Sequence, residues 1–127
     1  MLKSVILVLV GGAVGAVLRE DMMLWVPSPA YQFPLDILAA NLLASLLLGL
    51  VTGLCQRMAV SEGISLFMTT GVTGGLSTFS SFAYGSVMLT LASLMSAVVA
   101  SVYVLTSLAF GYLAVVVGLK LSGQRSA

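Results

Sequence analysis

The chain has no histidine, one cysteine and three prolines, and only 7% of its 127 residues are charged. Without histidine there is no Cys/His metal cluster and no imidazole base to activate a nucleophile, and no glycine-rich loop ending in Gly-Lys is present to cradle phosphate. No enzyme activity is expected. The single Cys55 cannot form an internal disulfide and reads as a small packing hydrophobe in an apolar run. Five basic and four acidic residues give a formal net charge of +1 with no basic run, which excludes nucleic acid as a partner, because that binding needs clustered Lys and Arg.

What is present is apolar: 60% of the residues are hydrophobic and the mean hydropathy is +1.17, far outside soluble composition. The expected fold is an all-α integral membrane protein, one transmembrane domain over residues 1–127. About 20 apolar residues cross a hydrocarbon core, and the pattern predicts four transmembrane helices, at about 4–25, 35–55, 64–95 and 97–119. Met1–Val17 also has the outline of a secretory leader, with Lys3 before the apolar Ser4–Val10. A retained first helix is the better reading, because Gly11, Gly12 and Gly15 fall at helix-packing spacing.

The third helix carries the anomaly. Gly63–Leu119 contains no Asp, Glu, Lys or Arg, yet within it lies GVTGGLSTFSSF, Gly71–Phe82. Its glycine pair and crowded hydroxyls predict a helix broken near 74–78 at membrane depth. Irregular backbone survives there only where protein or a polar cavity satisfies the freed N–H and C=O groups. A second turn is expected between about Leu91 and Ala97, and Lys120–Ala127 forms a polar tail. Pro27, Pro29 and Pro34 fix a non-helical connection after the first helix, flanked by Trp25, Tyr31 and Phe33 as interfacial aromatics. Four crossings would put Lys3, Arg57, Lys120 and Arg125 on one side and Arg19 with three carboxylates, Glu20, Asp21 and Asp36, on the other. The positive-inside rule predicts cytoplasmic termini, a bias that a dual-topology subunit would not show.

Several intramembrane polar residues need a reason. Asn41 sits among Ala39, Ala40, Leu42 and Leu43; it either makes an interhelical hydrogen bond or aims its NH₂ donor at an anion or pore water. Phe79 and Phe82, three apart on one helix face, are either core or a pair of rings whose positive edges could meet a small anion. Ser77, Thr78, Ser80 and Ser81, with Thr69, Thr70 and Thr73 before them, can bond back to carbonyls one turn earlier, but their number suits a lined cavity, with freed carbonyls placed for a small cation. Tyr103 and Ser107 stand at i and i+4 with Gly111 completing the stripe, as packing or as a polar track. Arg19 is an interfacial cation or an anion attractant at a pore mouth.

GVTGGLSTFSSF resembles the signature of the Fluc/CrcB fluoride channels, commonly GxxGGxTTFSTF, with Ser77 and Ser81 in place of Thr. FPLDILAANLLAS, Phe33–Ser45, resembles that family's FPxGTLxVNxxGS segment, and GGAVGAVLR, Gly11–Arg19, its first helix. The resemblance implies a dual-topology antiparallel homodimer in the bacterial inner (plasma) membrane, a multi-pass protein surrounded by lipid, with two fluoride pathways that export fluoride passively and reduce its toxicity. It implies that Asn41, Phe79 and Phe82 contact the fluoride ion, with Ser81 nearby. Tyr103 and Ser107 would continue the pathway as a polar track, and the backbone carbonyls of Gly74 and Ser77 would hold a structural sodium ion at the dimer interface. Arg19 would lie in the pore vestibule.

The chain departs from that pattern at Asp36 and Ile37, which replace Gly and Thr, at Ala44 in place of Gly, at Gly85 where many members carry Glu, and at Glu20 in place of an aromatic residue. Two other functions suit four small helices. A multidrug exporter needs an intramembrane carboxylate for proton coupling, and helices two to four carry none at depth. In a non-conducting assembly subunit the polar residues would serve only as interhelical glue.

Overall fold

A computed structural model describes residues 1–26, 34–92 and 94–123, and all of its regular elements are helical. They are α1 (Leu2–Trp25), α2 (Leu35–Arg57), α3 (Glu62–Leu66), a π-helical segment (Phe67–Val72), α4 (Thr73–Leu76), α5 (Phe79–Ala92) and α6 (Leu94–Leu121). Among the described residues three stretches, Leu2–Trp25, Leu35–Arg57 and Ala97–Leu121, are long and apolar enough to cross a membrane. Their outward faces carry exposed Leu9, Val17, Leu105 and Leu108, as a lipid-facing surface requires. The connection expected around Pro27, Pro29, Tyr31 and Phe33, and Arg125 in the polar tail, lie outside the described residues. So does residue 93, which falls between α5 and α6 in the range expected for the second turn.

Where lipid replaces water, helices gain little from burying more hydrocarbon, so close backbone approach and polar bonds hold them together. Two glycine seams provide that approach. On α1, Gly11 and Gly15 are buried; a Cβ on Gly11 would stand 2.6 Å from the Phe67 carbonyl oxygen and 2.9 Å from the Cα of Gly71, and one on Gly15 would stand 2.7 Å from the Leu76 nitrogen. The second seam joins α2 to α6, where a Cβ on Gly118 would stand 2.6 Å from the Leu50 nitrogen and one on Gly49 would stand 2.9 Å from the Val115 carbonyl carbon. Ala40 and Ala44 continue the buried small-residue stripe of α2.

The third element differs from expectation in two respects. Gly74 and Gly75 stay helical, and the break is confined to Ser77 and Thr78, with Ser77 extended at φ −77° and ψ 147°. Glycine permits a break without requiring one, and here Gly75 serves close packing against Gly12 of α1, whereas a Cβ on Gly74 would meet nothing within 4 Å. The preceding turn is wound as a π-helix, a form that no residue pattern in the sequence predicts. The first seam generates a test by substitution. Gly11→Ala should lower stability by about 1–3 kcal/mol through overpacking, whereas Gly12→Ala, whose Cβ would meet nothing within 4 Å, should leave the thermal midpoint in detergent unchanged or slightly raised.

Candidate functional site

The site is built where α4 ends. In a continuous α-helix the Thr78 N–H would donate to the Gly74 carbonyl and the Ser81 N–H to the Ser77 carbonyl. Neither bond forms. The Thr78 N–H donates across to Oδ1 of Asn41 at 3.0 Å, and the Ser81 N–H donates to the Thr78 hydroxyl at 3.3 Å. Thr78 is thereby the N-cap of α5, its oxygen satisfying the third N–H of the new helix, while its own carbonyl accepts from Phe82 N–H at 3.3 Å.

This exchange of partners changes two sets of atoms. The carbonyls of Gly74 and Ser77 each lose their helical donor; the Ser77 hydroxyl approaches the Gly74 oxygen only at 3.5 Å, too long for a strong bond. Oxygen atoms freed in this way are the hard, neutral ligands that suit an alkali cation. Asn41, meanwhile, spends its carbonyl on Thr78. The N–H it meets can only donate, so that atom must be the amide oxygen, and the NH₂ is the end left to donate elsewhere.

Beside the break, Thr78 Oγ1 lies 3.0 Å from the Ser80 hydroxyl and 3.4 Å from that of Ser81. Beyond it the aromatics form a chain: the Phe79 and Phe82 centroids are 6.1 Å apart at 40°, and those of Phe82 and Tyr103 are 5.4 Å apart at 31°. Tyr103 is fully buried while Phe79 is 81% exposed, so the chain of rings runs from the core to the surface of the single subunit. Ser107 stands one turn further along α6 with its hydroxyl oxygen buried. A groove of about 230 Å³, lined by Ser45, Thr69, Thr70, Thr73, Gly74 and Ser77 among others, opens on the face of α2 and the broken element.

The structure thus brings Asn41, Ser77 and Ser81 to the break and joins Phe79, Phe82 and Tyr103 beside it. Arg19 pairs with Glu20 at 3.3 Å on α1, whose Gly15, one turn earlier, packs on Leu76 at the end of α4. Gly111 packs towards Ser45 of α2, as a helix contact. The capping role of Thr78 emerges only in three dimensions. Its one signal in the sequence is a threonine directly before an apolar helical run, and nothing in the pattern ties it to Asn41.

A family model described as CrcB-like protein, Camphor Resistance (CrcB), matches residues 6–119. The chain is 50% identical over 127 residues to a protein of Brucella abortus named fluoride-specific ion channel FluC 1, covering all of this chain and 47% of that protein. It thus spans about half the length of its Brucella relatives. FluC 3 of Yersinia pseudotuberculosis is 44% identical over 119 residues, 94% of this chain and 88% of that protein. The FluC of Ignicoccus hospitalis is 36% identical over 117 residues, 92% of this chain and 93% of that protein.

The hydrogen bond between Asn41 and Thr78 separates two roles of one side chain. Asn41→Leu strands the Thr78 N–H at a position 9% exposed, and should cost about 1–3 kcal/mol in denaturant unfolding. Asn41→Asp keeps an acceptor for the Thr78 N–H and should lose less than Asn41→Leu, its remaining loss being the cost of a carboxyl group among apolar helices.

Proposed function

The chain belongs to the CrcB family, and from that premise we propose that it is a fluoride-selective channel, conducting passively through a dual-topology antiparallel homodimer. In this reading each subunit crosses the membrane four times, the broken element of α3, α4 and α5 making the third crossing beside the three continuous spans. The dimer sits in the bacterial inner (plasma) membrane as a multi-pass protein, and its export of fluoride lowers cytoplasmic toxicity. The relatives' names, fluoride-specific ion channel, support the ion.

The observation that carries the reading is the orientation of Asn41. Fluoride is small and strongly hydrated, so a selective path must replace water with close donors while holding the ion weakly enough to release it. An NH₂ left over after the carbonyl has capped α5 is such a donor, fixed in direction by the bond to Thr78. The positive ring edges of Phe79 and Phe82, on the helix that Thr78 caps, would be neutral partners for the same ion, and the hydroxyls of Ser81, Tyr103 and Ser107 extend the series. None of these groups carries a fixed charge, so no step traps an anion. Arg19 serves this scheme as a vestibule cation that raises local anion concentration.

The exposed face of Phe79 and the open groove beside Gly74 and Ser77 support a second copy as the missing wall. The freed carbonyls of Gly74 and Ser77 fit a sodium ion: one subunit offers two oxygens, and a two-fold partner would complete a shell of four. When bound, sodium would neutralise carbonyl dipoles and add a favourable field for the anion. The chain's own residues would hold it through backbone alone, Ser77 by its carbonyl and not by its hydroxyl.

The test is fluoride efflux from liposomes reconstituted with the purified chain. The parent should release fluoride rapidly. Asn41→Asp, which keeps the cap but loses the donor, and Phe82→Ile, which loses the ring edge, should each slow release by at least about tenfold, a barrier increase of roughly 1.4 kcal/mol. Parent-like efflux in both variants would return these residues to packing roles.

A further inference from the structure

Between α3 and α4 the chain winds as a π-helix over Phe67–Val72, a form that is rare and concentrated at functional sites. The Thr73 N–H donates to the Met68 carbonyl, five residues back. In an α-helix it would fill the Thr69 carbonyl. That acceptor is filled by the Thr73 hydroxyl, and the Thr69 hydroxyl likewise donates to the Ser65 carbonyl at 2.7 Å. Thr73 is only 4% exposed, so its hydroxyl has the Thr69 carbonyl in place of water. The hydroxyl therefore substitutes for the backbone donor that the wide turn removes.

A π turn holds about one residue more than an α turn, which rotates the next stretch of chain by about 100° around the helix axis. Here that stretch is Gly74–Ser77. Gly71 and Gly75 lie against α1, while Thr69, Thr73, Gly74 and Ser77 line the groove beside Ser45. The rotation of the π turn thus decides which way the two freed carbonyls are presented.

We propose that the Thr73 hydroxyl is a positioning group that stabilises the π turn and so sets the direction in which the Gly74 and Ser77 carbonyls face their cation. This rests on the sodium reading of the site and deepens it. Thr73 touches no ion; its proton is committed to Thr69. Thr73→Val removes the hydroxyl with little change of shape, opens the Thr69 carbonyl and favours return to α-helical winding. Thr73→Ser keeps the bond.

The measurement is the thermal unfolding midpoint of the purified dimer as a function of sodium, with potassium making up the ionic strength, since an ion that binds the folded state raises the midpoint by mass action. The parent should be stabilised by sodium, and Thr73→Ser should reach half of that effect within about twofold of the parent's sodium concentration. Thr73→Val should need at least about tenfold more sodium while remaining a dimer. An unshifted Thr73→Val overturns the proposal. Should Thr73→Val fail to assemble, Thr69→Val, which loses the neighbouring bond of the same segment, should shift the sodium requirement in the same direction, and no shift there overturns the proposal equally. A parent indifferent to sodium would overturn the sodium reading itself, a result distinct from a responsive parent with an unshifted Thr73→Val.

Discussion

Lipid offers no hydrogen bonds, so a helix broken inside a membrane must find an internal partner for every group it releases. In this chain the hydrogen bond from Thr78 N–H to Asn41 meets that demand for the released donor. It ends α4, starts α5 and ties the broken element to α2. It also has two by-products: a Gly74 carbonyl without its helical donor, and an amide NH₂ held in one direction. The cation reading and the anion reading both descend from this one exchange of partners, with the Thr78 cap on Ser81 N–H repeating it for the Ser77 carbonyl.

The fold serves the site with rigid packing contacts that are themselves uncharged, and the Asp36 carboxylate is the charge that acts on Tyr103. The glycine seams lock α1 to the broken element and α2 to α6 through backbone approach, so the walls of the site are set by contacts that carry no field of their own. That matters because a fixed ion pair close to the break would compete with any ion passing through. The ion pair described, Arg19 with Glu20, is exposed.

Much of this is legible in the sequence because membrane constraints are strict. The uncharged span from Gly63 to Leu119 and the hydroxyl-rich run inside it mark a broken element, and the spacing of Phe79 and Phe82 places both rings on one face. Less legible are features that depend on a partner distant in sequence. The break falls at Ser77 and Thr78, after the glycine pair, because Asn41, on another helix, captures the Thr78 N–H. The π turn depends on hydroxyl bonds within one buried segment, and threonines at those positions would fit an α-helix equally well. For Asn41, the interhelical bond and the exposed donor stand as alternatives in the sequence. The geometry shows the interhelical bond, made by the amide oxygen, and leaves the NH₂ for the proposed donor role.

The central claim is that the Asn41 NH₂, oriented by its carbonyl's bond to Thr78, meets the anion. The most direct measurement is the NMR shift of the Asn41 side-chain amide in isotopically labelled protein, titrated with fluoride and separately with chloride. The account predicts a saturable shift with fluoride and little with chloride, while the Thr78 backbone amide keeps its position. An Asn41 side-chain amide that ignores fluoride at concentrations supporting full conduction would contradict it.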